Sequence, residues 1–64
     1  MDITLGQLSG NMWYAQSILV QDEKHTIIYA GYNWKLQDES CKHLHSRRVA
    51  SFGVINGVIV IFIK

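Results

Sequence analysis

The sequence predicts an α+β domain that is mainly β, with about five antiparallel strands and one short helix in the order β-β-β-α-β-β. Three observations carry this. Phe52–Ile63 is the densest β-branched stretch of the chain, broken once by Asn56-Gly57. Met12–Val20 and Thr26–Trp34 alternate with the period of a strand. Only Gln37–Arg48 has helical character.

Each element has its own signal. Ile3–Leu5 suits a short edge strand, and Ser9-Gly10-Asn11 is a turn signal. In Met12–Val20, the residues Met12, Tyr14, Gln16, Ile18 and Val20 fall on one face. Gln21-Asp22-Glu23-Lys24 is a polar loop of hairpin length. Thr26–Trp34 places Ile28, Ala30, Tyr32 and Trp34 together, with Gly31 marking a bulge or a close backbone contact. Across Gln37–Arg48, acids Asp38 and Glu39 lead and Lys42, His43, His45, Arg47 and Arg48 follow. That order complements a helix dipole. Cys41 and Leu44 are its only clear apolar members. Strands Val49–Ile55 and Val58–Ile63 close the chain around Asn-Gly, the pair that supplies the two positive φ values of a type I′ turn.

Sixty-four residues form a single small domain, 1–64, with room for one modest core. The sheet is expected either to curl into a small SH3-like barrel or to stay open under the helix, ending in the C-terminal β-hairpin. The lone Cys41 excludes an internal disulfide and fits a reducing, cytoplasmic setting. The first residues lack the basic and apolar regions of a secretion signal. Val58–Ile63 is too short to span a bilayer, so no membrane association is expected.

Net charge is +1, with −3 over residues 1–39 and +4 over residues 40–64. The sharpest chemical constellation is Cys41-Lys42-His43-Leu44-His45, which His25 or Asp38 would have to complete as a zinc set. The second ligand pair of a zinc motif is missing, and Lys42, Arg47 and Arg48 would repel a cation. No metal or other cofactor is expected. Cys41 beside a histidine is also the raw material of an activated thiol. However, i,i+2 neighbours form no linear dyad, and so short a chain has little room for a substrate pocket. The chain is therefore not expected to be an enzyme.

Binding remains. Protein–protein interaction, of inhibitor or adaptor type, is the leading expectation. Tyr, Trp and Arg dominate interface energetics, which singles out Tyr29, Tyr32 and Trp34 with Arg47 and Arg48 at the rim. The last strand is apolar on both faces. Its Ile59, Ile61 and Ile63 face is the expected self-association surface of a homodimer. The alternative is nucleic-acid binding through the basic segment 42–48 and strand aromatics.

Overall fold

The computed structural model describes residues 2–64. The architecture is α+β and mainly β: a four-stranded open sheet with short helices on one face. The first helix, α1 (Leu5–Gly10), begins at a capping box. Thr4 Oγ1 accepts from Gln7 N–H at 3.2 Å, and Gln7 Oε1 accepts from Thr4 N–H at 2.9 Å. Leu5 and Ser9 are buried from this helix, and Leu8 packs against the core. The predicted edge strand Ile3–Leu5 thus shrinks to one bridge, Thr4 to Arg48, because the cap commits Leu5 to a helix.

Strands β1 (Ser17–Gln21), β2 (Ile27–Tyr32), β3 (Val49–Ile55) and β4 (Val58–Ile63) stand in the spatial order β2-β1-β4-β3. The β1–β2 and β3–β4 pairs are antiparallel, as expected of hairpins. The central β1–β4 pair is parallel, with Ile18 opposite Ile59 and Val20 opposite Ile61. The sheet is therefore mixed, with four strands where the sequence suggested five antiparallel ones. Its order leaves β2 and β3 as unjoined edges instead of closing a barrel.

The C-terminal hairpin forms as the Asn-Gly signal predicts. Asn56 (φ 52°) and Gly57 (φ 78°) form its two-residue turn, and Ile55 pairs with Val58. The strand Met12–Val20 is cut to its second half, and the following strand ends at Tyr32. Asn33–Leu36 instead forms a single helical turn, α2.

The helix expected within Gln37–Arg48 is a 3-10 helix, Glu39–Leu44, with Asp38 at its N-cap. Its two apolar residues explain the choice. Cys41 and Leu44 lie three apart and stack on one side of a three-residue turn, whereas they are too few to cover an α-helical face. Leu44 is buried, and Cys41 packs at the margin.

The helices lie over the sheet face carrying Ile18, Val20, Ile61 and Ile63, and Leu5, Leu36, Leu44 and Val49 complete this core. Each such side chain contributes about 1.5–3 kcal/mol by leaving water. The other face carries Leu19, Val58, Val60 and Phe62 in the middle of the sheet, and Ile27, Ala30, Tyr32 and Ile55 on its outer strands. Among the described residues no helix covers it, an arrangement common where a sheet has antiparallel edges.

Candidate functional site

Strand direction sorts the side chains into two ends. The start of β1, the end of β2 and the Asn56-Gly57 turn share one end. There the loop Met12–Gln16 meets α2, and Trp13, Tyr14, Tyr32 and Trp34 are all exposed. Trp13 is 66% exposed and Trp34 55%, so neither tryptophan contributes a buried body to the core. The Trp13 and Tyr14 rings meet edge to face at 5.7 Å.

A buried polar knot holds this end. Asn33 and Ser9 are fully buried. Ser9 Oγ donates to Asn33 Oδ1 at 2.5 Å, and Asn33 Nδ2 donates to the Ser9 carbonyl at 2.9 Å. The same amide reaches the Met12 and Trp13 carbonyls at 3.3 Å. Backbone bonds add to it: Asn33 N–H to Gln16 O and Trp34 N–H to Tyr14 O, both 2.8 Å. With its carbonyls bonded to Asn33 and Trp34, the loop presents its aromatic side chains to solvent. Gln16 Nε2 then bonds the Gly57 carbonyl at 2.7 Å and joins the hairpin tip to the loop.

The opposite end is charged. Asp22 Oδ1 accepts from the Lys24 and Thr26 amides and shapes the β1–β2 turn, where His25 takes a positive φ of 63°. Asp22, Glu23, Lys24, Arg47 and Lys64 line an open depression of about 300 Å³. Arg47 Nε donates to the Lys64 carbonyl at 2.7 Å, and Arg48 lies 3.7 Å from Asp2. Such an exposed pair is worth little.

The predicted partner residues are therefore divided. Tyr32 and Trp34 stand at the aromatic end, and Arg47 and Arg48 at the charged end. Tyr29 is half-buried against the core and donates its hydroxyl to the Tyr32 carbonyl at 2.5 Å. Burial, then the nearby Cys41, raises the pKa of that hydroxyl. Gly31 fits beside it, since a Cβ there would lie 2.8 Å from the Tyr29 oxygen. Ile61 and Ile63 are wholly inside the chain, and Ile59 packs against them. Ile61 and Ile63 form the core face of β4, out of a partner's reach, with Ile59 half-buried on the same face; Val58, Val60 and Phe62 take the face without helices, where Val60 is itself buried.

The histidines and Cys41 do not converge. Among the described residues, no three His, Cys, Asp or Glu side chains come together as a metal site. His45 instead places Nε2 2.6 Å from the Leu36 carbonyl, which assigns that nitrogen the proton. Its Cβ would clash at 2.9 Å with any side chain at position 6, so Gly6 allows α1 and His45 to pack closely.

Sequence reasoning missed α1, Ser9 and Asn33. The capping-box spacing Thr4-x-x-Gln7 ahead of Leu5 and Leu8 was the available signal. No family model, curated protein or solved structure matches the chain. Among the described residues, no helix is long and apolar enough to cross a membrane.

Proposed function

We propose that the chain is a non-enzymatic binding module that acts through protein–protein contact, in a reducing cytoplasmic setting, with the aromatic end as its contact surface. The partner is a different protein offering an apolar groove to Trp13, Tyr14, Tyr32 and Trp34. The supporting observation is that four large aromatics stand in solvent on a loop, the last residue of β2 and a helical turn, joined by a buried asparagine. Exposed Trp and Tyr with fixed backbones bind at low entropic cost and are the usual hot spots of interfaces.

Nucleic-acid binding through shared use of aromatics and Arg47 and Arg48 is disfavoured by their separation. Stacked bases at one end would leave the phosphates far from the guanidinium groups at the other.

The test compares wild type with Trp13→Ala/Trp34→Ala and with Arg47→Ala/Arg48→Ala as immobilised baits. A partner kept by wild type and by the arginine variant but lost by the tryptophan variant supports the proposal. Retention that ignores the tryptophans and vanishes with the arginines or with nuclease overturns it. Both tryptophans are exposed, so their emission should shift to the blue when the purified partner is added.

A further inference from the structure

We infer that β3 is a self-association edge: a second copy of this chain pairs antiparallel with Ser51–Ile55 about a twofold axis at Gly53, making one eight-stranded sheet. The proposal does not rest on the aromatic end.

The first argument is the state of the edge. β3 borders β4 on one side only. Its outer side is occupied over its first residue, where Val49 N–H donates to the Ile3 carbonyl at 2.9 Å and Thr4 bridges Arg48. From Ser51 to Ile55, none of the described residues pairs with that outer side. Natural edges are blunted by charge, proline or a covering loop. Ser51-Phe-Gly-Val-Ile55 has no charge and no proline, while Phe52, Val54 and Ile55 are exposed, Val54 by 67%.

The second argument is hydrogen-bond direction. A two-residue turn closes on the bonded pair Ile55–Val58. Alternation along an antiparallel strand then turns the N–H and C=O groups of Gly53 toward β4 and those of Phe52 and Val54 outward. Such a row is a template on which another strand can take the place of water. Centring on Gly53 sets Phe52 opposite the partner copy's Val54 and Val54 opposite its Phe52. Both pairs are then hydrogen-bonded, which makes four new backbone bonds.

The third argument concerns who fits. Phe52 and Val54 share one face, and Gly53 lies between them, so the segment is nearly symmetric about its centre. Self-pairing brings aromatic and β-branched residues opposite each other on the helical face, a favourable cross-strand combination. It brings no like charges together, whereas a charged peptide would meet no counter-charge. Gly53 gains a reason as well. A Cβ at this position would meet nothing within 4 Å inside the chain, so the fold itself does not demand glycine there. A glycine inside a strand marks the approach of another backbone, and here it would face its own copy.

The experiment is sedimentation and native mass spectrometry across a concentration series. Wild type should give a concentration-dependent dimer. Val54→Pro removes an outward N–H that β4 does not use, and Val54→Lys places a charge at an exposed position; both should remain folded and shift to monomer. Trp34→Ala should leave the dimer intact, and dimerisation should not move the tryptophan emission, because the aromatics lie beside β1 and β2. Gly53→Cys in a Cys41→Ser background should form a disulfide-linked dimer under mild oxidation, since opposed Cα atoms of a non-hydrogen-bonded pair stand about 4.5 Å apart. A wild type that is monomeric throughout overturns the inference. So does a dimer that survives both Val54 variants. A dimer lost on Trp34→Ala but kept by Val54→Lys also overturns it, and shows that the aromatic end meets a second copy.

Discussion

The aromatic end and the charged end are both loops between strands, yet they are held in opposite ways. The aromatic end is tied by long-range bonds: Asn33 to Ser9, Met12 and Trp13, and Gln16 to Gly57. At the charged end the β1–β2 turn is tied by a local device, Asp22 bonding to residues two and four further on. A surface meant to stay fixed while presenting apolar rings needs global support, since nothing local would stop those rings from collapsing inward. A polar turn has no such tendency, and its own side chain is enough.

The first way to break this contrast is Asn33→Ala. It removes one amide and leaves the Ser9 hydroxyl without its partner, while the Ser9 carbonyl keeps Gln37 Nε2 at 2.7 Å and the Met12 N–H at 3.1 Å. A buried group left unpaired costs roughly 1–3 kcal/mol, so a global loss of about 2 kcal/mol is expected in denaturant unfolding. A loss below about 1 kcal/mol would mean that water replaces the amide and the knot is not the support it looks to be. Trp13→Ala/Trp34→Ala probes the same end from outside. Both rings are exposed, so stability should change by no more than about 0.5 kcal/mol while the aromatic surface loses its two largest rings. A large drop in melting temperature would instead place the rings in the core.

Asp22→Ala makes the matching change at the charged end. Two backbone bonds to the carboxylate are lost, and roughly 1 kcal/mol is expected. Amide exchange should quicken over Asp22–Thr26 and stay unchanged at the bonded Met12 and Gln16 amides. Faster exchange at both ends would show that the two loops are not independently supported.

The same contrast explains what the sequence made legible. Local signals were readable: Asn56-Gly57 gave its turn, and Gln21–Lys24 gave the polar loop. Long-range demands were not. Alternation ran the first main strand back to Met12, but the Met12 and Trp13 carbonyls are claimed by an asparagine about twenty residues away. The parallel pairing of β1 with β4 leaves no trace in either strand's own pattern. Trp34 alternates correctly for a strand, yet Asn33 is needed in the knot and turns the chain into α2. The proposed site divides likewise: residue type pointed to Tyr32 and Trp34, whereas only the fold could part them from Arg47 and Arg48.

The smallest effect sharpens the comparison at a third place, between the two ends. Asp38 caps the 3-10 helix, accepting at 3.0 Å from the Ser40 hydroxyl and at 3.4 Å from its amide. The Ser40 side chain, then its backbone N–H, holds the Asp38 pKa below the ordinary carboxylate value. A depressed folded pKa means that the cap's stabilisation is complete above the unfolded value and fades as pH falls through the folded one. Acidification should therefore loosen Glu39–Leu44 before it touches the knot, whose partners carry no charge. The Ser40 amide resonance, followed by NMR, should titrate with that depressed midpoint, and Asp38→Asn should flatten its curve. If the Ser9 and Asn33 resonances moved with the same midpoint, the 3-10 helix would be coupled to the aromatic end, and the local and long-range modes of support would be a single system.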